Sequence, residues 1–167
     1  MTRNLHRYYA ALVLTTFAAF AADEVVFREP FTLKLSVDDE HYYEQRFPRT
    51  PYVIEGGVYL FKGERIGVTL LVHNGKVSAV RYQPDLSKAD AIFELSQGSG
   101  SERSPAMMLT IENRTKFTLS IQALMTIPGG KEPAETSILP VGAGLKNFES
   151  WPHPIVQLLL HDLQVGI

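Results

Sequence analysis

The sequence predicts an all-β fold: an immunoglobulin-like β-sandwich, with a small β-barrel as the alternative, preceded by a cleavable signal peptide. Three observations carry this. Apolar and polar residues alternate with a period of two along most of the chain after residue 21. Turn signals interrupt that alternation every few residues. No convincing amphipathic helix occurs in the same region.

The N-terminal segment has its own organisation. Arg3, His6 and Arg7 form a basic head, Ala10 to Phe20 is apolar except for Thr15 and Thr16, and Ala19-Phe20-Ala21 places small residues at both positions a signal peptidase needs. Cleavage after Ala21 makes Ala22 the mature start. The apolar run of about 11 residues is well short of the roughly 20 that span a bilayer. An uncleaved anchor is therefore the weaker reading, and no stable membrane anchor is expected after cleavage. The chain has no cysteine, so there is none to carry a lipid. Exported small proteins usually carry disulfides. Their absence fits a bacterial periplasm better than a eukaryotic secretory route, so the expected location is periplasmic or secreted.

Residues 22–167 then form one domain of 146 residues, large enough to bury a core without staples. The chain has 16 basic and 18 acidic residues. Arg3 and Arg7 leave with the leader, so the mature formal charge is −4, with 14 basic residues against 18 acidic. No basic stripe occurs, which argues against nucleic acid and against anionic membrane surfaces.

The strands follow in order. Phe31, Leu33, Leu35 and Val37 alternate with Thr32, Lys34 and Ser36, the pattern of a half-buried strand. Tyr52 to Phe61 holds Gly56-Gly57 between two β-prone runs, a hairpin signal. Asn74-Gly75 separates Val68–His73 from Lys76–Tyr82 and is the strongest hairpin signal in the chain. There Val68, Leu70 and Val72 are expected on one face. Pro84 to Ala91 has room for a turn or two of helix. Ala91–Leu95 is a weaker strand, Gln97–Pro105 reads as an exposed loop, and Ala106–Glu112 resumes a strand. Lys116–Ile127 alternates clearly until Leu124, and Pro128-Gly129-Gly130 ends it. Ser137–Val141 is a short candidate. Ile155–Val165 has a solid apolar centre, as in a strand covered on both faces.

Val141–Ile155 stands apart. It holds the sole tryptophan, Trp151, and His153 lies between Pro152 and Pro154. Two prolines so close force extended backbone and remove two donors, so the segment reads as an ordered crossover and not a central strand. Either it displays Trp151 and His153 to a partner, or Trp151 plugs the end of the sandwich while Glu149 accepts a backbone hydrogen bond. The structural reading is preferred.

Catalytic signatures are few. No serine lies in a GxSxG elbow, and no glycine-rich piece ends in the Lys-Ser/Thr of a phosphate loop. Asp38, Asp39, Glu40 and His41 could offer oxygen and imidazole ligands to a cation. Their spacing fits no calcium loop, so a solvated acidic turn is preferred and no cofactor is expected. Tyr42 and Tyr43 could stack on a ligand or anchor a partner; one filling the core and one capping a strand end is the simpler account. Asn113-Arg114-Thr115 matches a glycosylation acceptor, a match without meaning in a bacterium.

These readings lead to a non-enzymatic protein-interaction, accessory or inhibitor module of the cell envelope with a protein partner. The alternative is a small-ligand or carbohydrate binder. In either case the candidate contact residues are Tyr42, Tyr43, Trp151 and His153. A metal-dependent enzyme built on Asp38, Asp39 and His41 is the least supported.

Overall fold

The computed structural model describes residues 25–98 and 106–166. The leader, its cleavage point and the centre of the Gln97–Pro105 loop lie outside the described residues. Fourteen strands follow one another: β1 (Phe27–Arg28), β2 (Phe31–Ser36), β3 (Tyr42–Phe47), β4 (Thr50–Pro51), β5 (Val53–Ile54), β6 (Gly57–Leu60), β7 (Glu64–His73), β8 (Lys76–Gln83), β9 (Ala91–Gln97), β10 (Met107–Asn113), β11 (Thr118–Thr126), β12 (Ala134–Ser137), β13 (Lys146–Trp151) and β14 (Gln157–Gly166). Two five-stranded sheets dominate, in the orders β13-β10-β9-β7-β8 and β12-β11-β14-β6-β5. Two-stranded ladders β1-β4 and β2-β3 complete the fold, and every pairing is antiparallel.

Alternation sets which faces meet. In β10, Met107, Leu109 and Ile111 are fully buried while Met108 is exposed. In β11, Leu119, Ile121 and Ala123 point inward. These rows join Leu33, Leu35, Val58, Leu60, Phe61, Phe93, Leu95, Leu158 and Leu160 in one hydrophobic cluster drawn from both large sheets and the β2-β3 hairpin. Removing this much apolar surface from water is the main driving force for the arrangement.

The hairpin turns follow backbone chemistry. Asn74 and Gly75 are both left-handed, with φ of 50° and 74°, as the tight turn between β7 and β8 requires. In the β5–β6 hairpin the left-handed pair is Glu55 and Gly56, φ 50° and 78°, one residue earlier than the Gly-Gly pair suggests; Gly57 already belongs to β6. A bulge between Leu71 and Val72 shifts the β7–β8 register. The extra residue, Ser78, lies on β8, and Val72, near the turn, is exposed while Val68 and Leu70 are buried.

Several expected boundaries move. Pro84–Ala91 contributes only a 3₁₀ turn, Leu86–Lys88, with the Asp85 carboxylate accepting from the Ser87 amide at its start. The short strand lies at Ala134–Ser137, ahead of its expected place, and Val141 keeps only a single bridge to Leu119. The Val141–Ile155 stretch is not crossover throughout. Lys146–Trp151 is an edge strand on β10, and the prolines follow its last residue. The apolar centre of β14 is covered on one face only, since Leu158 and Leu160 are buried and Leu159 is half-buried.

Among the described residues, the buried polar side chains are Arg28 and Asn113. Arg28 is 5 % exposed and meets Glu64 through two nitrogens, Nε to Oε1 at 2.7 Å and Nη2 to Oε2 at 3.0 Å. It also donates to the Pro51 carbonyl at 2.6 Å and the Tyr59 carbonyl at 2.8 Å. Its guanidinium lies over Tyr52, 4.3 Å from the ring centre. Asn113 lies at the end of β10. Its Nδ2 donates to the carbonyls of Phe117 (2.7 Å), Val141 (2.9 Å) and Gly142 (3.1 Å), and its Oδ1 accepts from the Thr115 amide and hydroxyl. The nitrogen that a glycan needs is engaged inside the protein, and the Asn-Arg-Thr motif is a structural turn.

Two stability predictions follow from these side chains. Arg28→Met strands the Glu64 carboxylate and is expected to lower unfolding free energy by about 3 kcal/mol, with part regained in the double variant Arg28→Met/Glu64→Leu. Asn113→Ala leaves buried carbonyls without donors and is expected to lose about 2–3 kcal/mol. Urea titration read by circular dichroism measures both; changes below about 0.5 kcal/mol, the level of ordinary surface substitutions, contradict the assignments.

Candidate functional site

Of the contact residues suggested by the sequence, Trp151 and Tyr42 stand at opposite ends of a row of partners. Trp151 pairs with Met107, Met107 with Gln97, the Gln97 side chain exchanges hydrogen bonds with the Ser36 backbone, and Ser36 pairs with Tyr42. Three strands, β10, β9 and β2, therefore lie between Trp151 and Tyr42. Trp151 is only 8 % exposed and its indole Nε1 donates to Thr136 Oγ1 at 2.9 Å. That contact ties the end of β13 to β12 of the other sheet. Glu149 accepts from the Leu139 amide at 3.0 Å. Both match the structural reading of this segment. His153 is half-buried, with Nδ1 3.4 Å from the Pro154 carbonyl.

Tyr43 packs against the core and its hydroxyl donates to Gln45 Oε1. Tyr42 is 57 % exposed, with the Lys34 ammonium 3.6 Å above its ring. In the β2–β3 turn the Asp38 carboxylate accepts from the Glu40 and His41 amides at 2.8 and 2.7 Å and meets His41 Nδ1 at 2.9 Å. The Glu40 amide, then the His41 amide and ring, hold the Asp38 pKa below its ordinary value. The turn is organised around its own backbone. No cluster of three or more His, Cys, Asp or Glu side chains suited to a metal is found among the described residues.

A concave feature of the surface lies elsewhere. An open groove of about 700 Å³ runs between β8 and the β5–β6 hairpin, with Val25, Val26 and, from β14, Asp162 and Leu163 also lining it. β8 ends one large sheet and β5 ends the other, so the groove follows a seam between two sheet edges. Among the described residues β8 pairs with β7 alone and β5 with β6 alone. Ile54, Val25 and Val26 present apolar surface there. Tyr82 of β8 stacks on Tyr52, with ring centres 4.2 Å apart and planes 7° from parallel. This stack joins the two sheet edges beside the Arg28 cluster. Burial, and next the neighbouring Tyr52, push the Tyr82 hydroxyl above its ordinary pKa.

The charged residues of the groove are Glu55, Arg81 and Asp162. Arg81 is itself engaged in an interaction. Both carboxylates sit on left-handed backbone, Glu55 at φ 50° and Asp162 at φ 48°. Asp162 owes this to a bulge, because three residue steps of β14 from His161 to Gln164 oppose two steps of β11 from Ser120 to Gln122. Its carboxylate accepts from Gln164 Nε2 at 3.1 Å. A non-glycine residue in this conformation inside a strand is strained.

Comparison with protein-family models, with curated proteins and with solved structures finds no match for the chain. Function is therefore read from the site itself. If Asp162 occupies its bulge at a conformational cost, Asp162→Gly is expected to leave unfolding free energy unchanged or raise it by up to about 1 kcal/mol. A loss of more than 1 kcal/mol in thermal or urea unfolding would show that the carboxylate is needed to hold the bulge.

Proposed function

We propose that this protein is an exported, periplasmic, non-enzymatic interaction module of the cell envelope that engages a protein partner along the β8 edge. The observation that carries this reading is the groove itself: an apolar concavity bordered by the terminal strands of two sheets. Extended partner segments commonly add to such edges, with backbone hydrogen bonds giving affinity and neighbouring pockets giving selectivity. The leader pattern and the absence of cysteine support the location. Among sandwiches we propose the immunoglobulin-like type, supported by antiparallel sheets between which the chain passes after β6, β10, β12 and β13. Carbohydrate binding through Tyr42, Tyr43, Trp151 and His153 has less support, because Trp151 is buried and three strands lie between it and Tyr42.

The natural chain has no cysteine, so one introduced thiol is unique. Ser78→Cys lies in the groove on β8, whereas Ser150→Cys lies on β13 at the opposite end of that sheet. Each is carried on the full-length precursor, expressed in a bacterium, and labelled with a thiol-reactive photo-crosslinker. The expected result is a mature mass beginning at Ala22 in the osmotic-shock fraction and a discrete adduct from Ser78→Cys only. A cytosolic full-length product removes the export reading. Equal adducts from both positions remove the β8 edge as the site of engagement.

A further inference from the structure

The chemistry of the groove narrows the partner class, on the premise that the β8 edge is the docking surface. We propose that the groove between β8 and β5 takes an extended apolar polypeptide segment carrying a lysine or arginine, which adds to β8 and turns its basic side chain toward Glu55 and Asp162. The apolar requirement follows from Val25, Val26, Val53, Ile54, Val77 and Val80 along the walls. The basic requirement is charge complementarity. The groove holds two carboxylates against one guanidinium, so its lining carries a formal charge of −1.

The placement of the carboxylates supports a role beyond solvation. Glu55 occupies a hairpin position where glycine, asparagine or aspartate is the usual choice, and Asp162 occupies a left-handed bulge position that glycine adopts more easily. Among the described residues, Glu55 is the left-handed position held by a residue other than glycine, asparagine or aspartate, and it lines the groove together with Asp162. Strained positions of this kind cluster where a surface engages a ligand. A segment lying along β8 has apolar side chains facing the Val and Ile walls on alternate positions, with the intervening ones facing solvent. A basic residue in the inward set then meets an acidic groove from which water has been partly excluded, where opposite charges attract more strongly than in bulk solvent.

The test uses the mature protein, residues 22–167, and the synthetic peptide acetyl-Thr-Val-Thr-Lys-Thr-Val-Thr-amide, followed by two-dimensional NMR titration. Amide shifts confined to Lys76–Gln83 and the β5–β6 hairpin are expected. Affinity is expected to fall at least tenfold when the peptide lysine is replaced by glutamate, and by a similar factor in the Glu55→Gln/Asp162→Asn double variant. Asparagine tolerates the left-handed region, and the peptide-side change reports even where that variant misfolds. N-methylation of the Thr amides in one peptide and of the Val and Lys amides in another blocks one peptide edge at a time. At least one of these is expected to abolish binding. Equal affinity for lysine and glutamate peptides overturns the basic preference and leaves strand addition standing. Unchanged binding of both N-methylated peptides overturns strand addition, and no shift at β8 with any peptide overturns both.

Discussion

The Arg28–Glu64 pair is the contact on which the arrangement of the sheet edges depends. Glu64 begins β7 in one large sheet, and the carbonyls Arg28 engages belong to Pro51 and Tyr59, on the ladder and sheet facing it. The second Glu64 oxygen also accepts from the Phe61 amide at 2.9 Å, so one carboxylate fixes both the arginine and the turn leading into β7. A buried charge pair of this kind is tolerated only when its hydrogen-bonding capacity is nearly filled. Here the guanidinium has partners in its plane and aromatic rings, Tyr52 and Phe61, against its face. Tyr52 in turn stacks on Tyr82. The sequence of contacts from Glu64 through Arg28 and Tyr52 to Tyr82 therefore fixes the separation of the two edges that border the groove.

Asn113 plays the corresponding part where the chain passes from β10 to the opposite sheet. Its bonds reach Val141 and Gly142, 28 and 29 residues ahead, while its own backbone amide donates to the Leu145 carbonyl at 2.9 Å. A β-sandwich whose chain changes sheets repeatedly needs such points, because the loops themselves carry few apolar contacts and many backbone groups that want partners. With no cysteine available, buried polar side chains fix these crossings. They differ from disulfides in one physical respect. A disulfide acts largely on the unfolded chain, whereas these bonds exist only after the core has formed, so their contribution depends on the core being sound.

The strands were largely legible in the sequence, and the site largely was not. Alternation located β2, β7, β8, β10 and β11 because each has one face on the core and one toward solvent, so side-chain chemistry changes with every residue. The Asn74-Gly75 turn was legible because few residue pairs accept two left-handed conformations. The β5–β6 turn was misplaced by one residue because Glu55 accepts that conformation at a cost. β13 was obscured by Pro152 and Pro154, whose influence on the reading reached back over residues they do not constrain. Arg28 had no local signal, since its partners lie 22 to 36 residues away. The groove was hidden for a similar reason. Val77, Val80 and Ile54 look like any strand residues, and only the order of strands makes β8 and β5 terminal. Aromatic and histidine residues stand out by type, and of these Trp151 is buried and Tyr43 packs against the core.

An unpaired strand beside apolar surface is a liability as well as an opportunity, because any exposed segment can pair with it. The two ends of this sheet are treated differently. At β13, the Asn147 amide and Glu149 carboxylate engage the Leu139 backbone, so side chains of the edge strand hold a neighbouring loop alongside it. At β8, Lys76 and Arg81 provide charge, one of the common devices against indiscriminate pairing, but among the described residues no other strand pairs along its outer side. The groove beside it is also lined by Val53–Gly56 and by Asp162 and Leu163 of β14. The bulge that puts Asp162 on left-handed backbone lies where β14 lines the groove, so one irregularity in β14 places a carboxylate at the opening.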